Sequence, residues 1–237
     1  MLEDFSRSIF WQHREKFCEP IADEQLSRQV IDAYLIFCLG RYMTINSYCE
    51  IGVWRGATLS LIMDTNPGCK CLVVDPKPQL DFLGTKIDIS KVKVNKQKLQ
   101  EYGMPHRNFD FILIDGDHDA PMPKLDVIKM LNHCHQDTMI WLDDVFLESG
   151  IDAKKELSKA GWRLWIKGSS GELWAKERNL QPFINLILSD ESFKKFCVVY
   201  RERSKADQEI LVINMPGGFL NKIDWINKII TDELKSR

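Results

Sequence analysis

Ser47-Tyr48-Cys49-Glu50-Ile51-Gly52-Val53-Trp54-Arg55-Gly56-Ala57-Thr58-Leu59-Ser60 is the stretch that decides how the rest of the chain is read. Tyr48 to Ile51 is a short, mostly apolar run of the length of a buried strand, and Glu50 interrupts it at its C-terminal end. Gly52 and Gly56 bracket a turn, and apolar residues return at helical spacing from Ala57 to Met63. Glycine at such a turn supplies positive φ and lets another molecule approach the backbone closely. A helix that starts directly after the turn presents unpaired N–H groups to whatever lies above it. The pattern, Glu-x-Gly-x-x-x-Gly, differs from the Gly-x-Gly-x-x-Gly of nicotinamide and flavin folds.

Upstream, Asp23 reads as an N-cap. Leu26, Val30, Ala33, Tyr34 and Phe37 then recur at a helical period through Leu39, with Gly40 as the C-cap. Residues 1–20 are mixed and read as an outer helix, whose Trp11 and Phe17 could pack on the body or on a partner subunit. Downstream, Asn66-Pro67-Gly68 ends the helix of the opening stretch. Cys69 to Val74 is a second buried strand that runs into Asp75. Lys91 to Val94 alternates, which predicts a third strand at a sheet edge with one wet face. Lys96 to Tyr102 reads as a short helix. Phe109 to Ile114 is a buried strand with acids crowded at its C-terminal end. Lys124 to Leu131 reads as a helix with Leu125, Ile128 and Leu131 on one face. Asn132 to Asp137 is a polar break, and Thr138 to Leu142 is a strand that ends in Asp143-Asp144. Ser149 to Ala160 is a helix closed by Gly161. Trp162–Ile166 and Glu172–Lys176 form a hairpin around Gly168-Ser169-Ser170-Gly171.

Strands and helices that alternate in this way build a parallel sheet with helices on both faces and right-handed crossovers. The expected fold is therefore α/β and Rossmann-like: a mostly parallel seven-stranded sheet, a terminal antiparallel hairpin and a C-terminal extension. Residues 1–178 form the main domain on this reading, and 179–237 an extension packed on it. In the extension, 182–188 and 191–196 read as helices, 210–213 as a strand, 215–218 as a turn and 219–234 as an amphipathic helix. A substrate lid, a dimer element and plain packing are all open for it.

The chain has 237 residues, a formal net charge of −2 and an ordinary apolar content of 44%. There is no basic surplus to neutralise phosphates, so a nucleic-acid partner is not expected, and the Asn-Pro-Pro-Tyr-type motif of base methylation is absent. No run is long and apolar enough to span a bilayer, and residues 1–11 lack the layout of a signal peptide. Seven scattered cysteines in apolar contexts read as reduced core thiols, which points to the cytoplasm. His133 and His135 beside Cys134, and the lysines at 91, 93, 96 and 98, read as surface features.

The acids carry the functional reading. Asp75 stands at the tip of the second strand, where dinucleotide-type folds bond a ribose hydroxyl. Asp115 and the pair Asp143-Asp144 end strands one strand–helix–strand unit apart, so all three should meet at the carboxyl edge where open α/β sheets bind ligands. Three carboxylates raise one another's pKa unless a counter-charge sits among them. Oxygen ligands without thiolate suit Mg²⁺ or another divalent cation.

Glu50 to Gly56 resembles motif I of class I S-adenosylmethionine (SAM) methyltransferases. Adding Ile114-Asp115-Gly116-Asp117-His118 and Asp143-Asp144 makes the resemblance more specific. The segment from about 45 to 148, under half the chain, is similar to the metal-dependent O-methyltransferases of the macrocin, mycinamicin and novobiocin type, which modify antibiotic sugars. That resemblance implies SAM across the glycine turn, with Glu50, Gly52, Trp54, Gly56, Asp75 and Asp115 as cofactor-binding positions. It implies Asp115, Asp143 and Asp144 as metal ligands, and Asp117 as general base with His118 beside it. The chain departs from the family where Cys134-His135-Gln136-Asp137 replaces the usual Pro-Gly-Gly turn. The expected substrate is a small hydroxylated molecule, a sugar or glycoside, and homo-oligomers are possible. Catechol methylation, a cephalosporin hydroxylase-like protein of the same fold and a non-catalytic SAM-fold binding module stand as alternatives.

Overall fold

The structure, a computed structural model, describes residues 23–80, 88–194, 198–203 and 209–214. Helix α1 (Asp23–Tyr42) leads into β1 (Ser47–Ile51), α2 (Ala57–Thr65) and β2 (Lys70–Val74). A 3₁₀ turn (Ile89–Lys91) precedes β3 (Val92–Asn95), followed by β4 (Phe109–Ile114), α3 (Met122–Leu131), β5 (Cys134–Leu142) and α4 (Glu148–Lys159). The hairpin β6 (Arg163–Lys167) and β7 (Glu172–Ala175) comes next, then α5 (Gln181–Ser189), α6 (Glu191–Lys194), β8 (Val198–Arg203) and β9 (Glu209–Asn214).

The strands form one sheet in the order β3-β2-β1-β4-β5-β7-β6-β9-β8. The β1, β2, β3, β4 and β5 pairings are parallel, and β7 runs antiparallel to both β5 and β6. The expected seven strands are thus present, and the sheet is larger than expected. β9 adds in parallel to β6, and β8, which the sequence reading missed, pairs antiparallel with β9.

Period-two alternation sorts the sheet's side chains between two cores. Tyr48, Cys71, Val73, Phe111, Leu113, Met139 and Trp141 face α1, α2 and α5. Cys49, Leu72, Ile112, Ile114, Ile140 and Leu142 face α3 and α4. By the same parity Glu50, Asp115 and Asp143 come off their strands toward the α1/α2 side of the carboxyl edge.

Several local expectations change. Gly40 lies inside α1 and is not its C-cap. A Cβ there would lie 2.3 Å from Oγ1 of Thr65, so this glycine permits the close crossing of α1 and α2. Residues 96–102 form turns. On α3 most of the expected apolar stripe faces outward: Leu125 and Ile128 are exposed and only Leu131 packs on the core, whereas Val127, Met130 and Asp126 are buried. β5 begins at Cys134 within the expected polar break. Its polar start is accommodated because His135 Nε2 meets Asp110 Oδ1 at 3.0 Å and the Thr138 hydroxyl donates to the Phe109 carbonyl at 2.6 Å. β3 is the edge strand that its alternation predicts. The five described cysteines are free thiols, four of them buried. The helix expected over residues 1–20, the turn at 215–218 and the helix over 219–234 lie outside the described residues.

Candidate active site

The turn after β1 is built around its glycines. Gly52 (φ +79) and Gly56 (φ +82) both lie in the left-handed region, which L side chains rarely adopt. A Cβ on Gly52 would fall 1.9 Å from the Asp115 carbonyl, so only glycine lets the β1 turn and the end of β4 touch. Trp54 also takes positive φ and is exposed, with the Arg55 guanidinium 5.7 Å from the centre of its ring.

Asp75 holds this turn in place. One of its oxygens accepts the amides of Val53 at 3.0 Å and Trp54 at 2.9 Å, and the other accepts the Lys77 amide at 2.6 Å. The carboxylate expected at a ribose is therefore bonded to the backbone on both oxygens, within the fold.

A cleft opens above the sheet edge, lined by Glu50, Gly52 and Trp54 from the turn, Ala57 and Thr58 at the start of α2, and Asp32, Asp115, Asp143 and Ser170 opposite. Glu50 is buried and accepts the Tyr48 hydroxyl at 2.9 Å. Burial pushes its carboxyl up to about 8; the Tyr48 bond opposes the rise and the Asp75 charge adds to it.

The three aspartates of the sequence reading meet at this edge in an arrangement of their own. Asp115, His118 and Asp144 offer ligand atoms that all lie within 4.8 Å of one another. His118 reaches Asp144 Oδ2 through Nδ1 at 3.3 Å and Asp115 Oδ1 through Nε2 at 3.8 Å. Asp144 turns to this side through a backbone φ of +48. Asp143 is not one of these three; it lines the cleft, where the Ser170 hydroxyl lies 2.8 Å from its Oδ1. Asp117 stands outside the group, exposed, with its Oδ1 taking the Asp119 amide at 3.1 Å.

The cluster is electrostatically unbalanced. Water reaches 40% of the Asp115 side chain, yet its carboxyl is raised well above the usual range, first by removal from bulk solvent and then by Asp143, Asp144 and Glu50. Burial likewise raises Asp143, with Asp144 adding to it and Ser170 opposing it. Such an edge favours a ligand that brings positive charge.

Two functional side chains escaped the sequence reading. Asp32, on α1, is buried at the back of the cleft, and its carboxyl is pushed up to about 7 by burial and by Asp143. Ser170, in the β6–β7 turn, lies 2.5 Å from Asp32 and 2.8 Å from Asp143. One hydroxyl proton cannot serve both carboxylates, so both contacts are hydrogen bonds only when one of the acids is protonated. The signal for Asp32 was a lone acid opening a helical stretch, 32–39, that is buried throughout; nothing in the sequence pointed to Ser170.

A parallel sheet with its central strands ordered 3-2-1-4-5-7-6, a glycine turn after β1 and acids at the ends of β4 and β5 define the Rossmann-like methyltransferase fold. Residues 49–145, from β1 to just past the aspartate pair, match the family described as a methyltransferase domain. No curated protein sequence matches the chain. Among solved structures, a Staphylococcus aureus protein provisionally ascribed to the caffeoyl-CoA O-methyltransferases aligns at 15% identity and a TM-score of 0.56, covering 74% of this chain and 97% of that one. The Podospora anserina methyltransferase PaMTH1, solved with SAH bound, aligns at 13% identity and 0.55, covering 72% and 88%. A Thermoplasma acidophilum structure aligns at 18% identity and 0.44 over 51% of this chain; the chain spans only 53% of its length. Residues 49–145 thus carry the sequence pattern of a methyltransferase domain on a methyltransferase fold.

Proposed function

We propose that this protein is a SAM-dependent O-methyltransferase, assisted by a divalent cation, that methylates a hydroxyl of a small molecule of the sugar or glycoside class. The observation that carries the reading is the meeting of Asp115, His118 and Asp144 at the sheet edge, with Asp143 in the cleft that the Gly52 turn lines. The family match over residues 49–145 supports the transferase class.

In this reading the turn and the α2 N-terminus receive SAM, with Gly52 giving close backbone approach and the cleft acids suiting a cationic donor. Asp75 acts first by fixing the Val53 and Trp54 amides, so the turn is organised before the donor arrives. The donor set suits a hard cation with one imidazole: Asp115, Asp144 and His118 would hold it, with Asp143 close by in the cleft adding negative charge. When bound, a divalent cation lowers the pKa of a substrate hydroxyl and orients it. His118, expected as a catalytic neighbour, stands among the carboxylates, which leaves Asp117 at the exposed rim to take the proton. Much of the acceleration would come from holding the oxygen and the methyl carbon in attack geometry.

Catechol methylation is the alternative, because the same carboxylates serve vicinal phenolic oxygens equally well. A non-catalytic binding module of this fold is the other. The proposed setting is the cytoplasm, with a small-molecule partner, neither nucleic acid nor membrane, and a possible homo-oligomer. Among the described residues no helix is long and apolar enough to cross a membrane.

Calorimetric titration with SAM, followed by methyl transfer to panels of glycosides and catechols with Mg²⁺ and with excess chelator, tests the proposal. SAM should bind, and transfer should require the cation. Failure to bind SAM removes the enzyme reading, and full activity in chelator removes the metal.

A further inference from the structure

Four donors converge on Asp32, which is 5% exposed. They are the amides of Ser169 (2.8 Å), Ser170 (2.8 Å) and Gly171 (3.0 Å) and the Ser170 hydroxyl (2.5 Å). Glycines let the β6–β7 turn come this close. A Cβ on Gly168 would lie 2.5 Å from Asp32 Oδ1, and one on Gly171 would lie 2.2 Å from Nε1 of Trp141. A carboxylate is costly to bury unless its lone pairs are satisfied, so the turn and Asp32 fix each other.

Ser170 then touches the aspartate pair at two points. Its hydroxyl meets Asp143 Oδ1 at 2.8 Å, and its carbonyl accepts the Val145 amide at 3.2 Å. Between those two contacts lies Asp144 with its φ of +48, a conformation that a non-glycine residue keeps only when its surroundings enforce it. The chain of contacts runs from α1 through the hairpin turn to the end of β5, with the single Ser170 hydroxyl between the two carboxylates. Asp32 itself is occupied by its donors and is not among the groups whose ligand atoms meet.

We propose that Asp32 is a positioning residue of the acidic centre: acting through Ser170, it fixes the direction of Asp143 and the left-handed backbone of Asp144, and so sets the affinity of the centre for a divalent cation. This inference rests on the reading of the carboxylate cluster as a cation site. Replacing the Asp32 carboxylate by an amide takes away one of the two oxygens that the three turn amides share. Removing only the Ser170 hydroxyl leaves those amides paired and cuts the link to Asp143.

The test uses Mn²⁺ alone as the probe, its binding to the full chain read from the electron paramagnetic resonance signal of the free ion. Ser170→Ala should weaken Mn²⁺ about 10-fold, the scale on which supporting groups act on metal sites. Ser170→Thr, which keeps the hydroxyl, should restore most of the affinity. Asp32→Asn should weaken Mn²⁺ at least as much as Ser170→Ala, and the double variant should be no weaker than Asp32→Asn alone, because both act through one link. Unchanged affinity in Ser170→Ala, losses that multiply in the double variant, or a wild-type chain that leaves Mn²⁺ free would each overturn the proposal. Should Asp32→Asn not fold, the Ser170 pair decides it. Calorimetry with SAM on the wild type tests the methyltransferase reading separately: a protein that ignores SAM yet binds Mn²⁺ in this pattern would lose that reading and keep this one.

Discussion

Asp110, inside β4 near its amino end, and Asp115, just past its carboxyl end, have opposite surroundings. At the amino end Asp110 accepts the amides of Asn46 (2.8 Å) and Ser47 (3.0 Å), and His135 lies 3.0 Å away. Burial works against its charge, but these partners outweigh it and hold the carboxyl below its ordinary value. At the carboxyl end Asp115 has three carboxylates around it, and its pKa rises. One edge of the sheet gives its acid partners that favour its charge, and the other crowds acids whose charges oppose one another. Unbalanced charge of this kind costs stability and clusters at functional sites, whereas balanced charge holds the fold together.

The comparison can be broken most directly by exchanging the two charges for amides. Asp115→Asn should weaken Mn²⁺ at least about 100-fold, the upper end of what losing even a supporting group costs, and should raise the melting temperature of the metal-free protein because repulsion is relieved. Asp110→Asn should leave Mn²⁺ and SAM binding intact and cost about 2 kcal/mol of stability, the scale of a charge-assisted hydrogen bond. Calorimetry and denaturant titration separate the two outcomes. Equal effects of the two substitutions on Mn²⁺ would erase the distinction between the edges.

Comparable in size to the Asp115 effect is Gly52→Ala, which should cost roughly 3 kcal/mol through positive φ and the contact with the Asp115 carbonyl. It should also weaken SAM, as the loop moves off the end of β4; a stable variant with normal SAM affinity would show that the two turns need not touch.

The pH dependence sharpens the contrast further. Glu50 ordinarily titrates at 4.5 and in the fold near 8, and Asp32 moves from 3.8 to about 7. Between those limits the folded chain keeps protons that the unfolded chain has released, so stability falls as pH rises from about 4 to 8. Asp110, with its lowered pKa, has the opposite sign: its contribution is present above its ordinary value and is lost as pH falls below it. Melting temperatures of the metal-free protein should therefore decline on both sides of an optimum near pH 4. Glu50→Gln should flatten the alkaline limb and Asp110→Asn the acid limb. The smallest effect is expected at the sheet's wet edge, where Lys93→Ala should change stability by no more than about 0.5 kcal/mol.

Much of this was legible because it is local. The Gly52–Gly56 turn, the alternation of β3, the continuous apolar runs of β2 and β4 and the hairpin glycines each write their conformation into a few adjacent residues. The aspartates at the ends of β4 and β5 were found the same way, since strand ends in a parallel sheet share an edge. What failed was what neighbours cannot encode. The polar start of β5 looks like a break until Asp110 and Phe109 supply partners from another strand. Leu125 and Ile128 look like a core face, because a helical period says which residues share a side and not which side is inward.

The sequence by itself determined the α/β class, the strand order of the chain from β1 to β7, the glycine turn and the three aspartates at one edge, because backbone propensity and side-chain period act over a few residues. The tertiary structure alone decided that Asp75 braces a backbone turn, that His118 joins Asp115 and Asp144 while Asp143 faces the cleft, and that β8 and β9 extend the sheet. It alone brought Asp32 to Ser170, 138 residues apart. Contacts over such distances depend on how helices and strands pack on one another, and no local spacing records that.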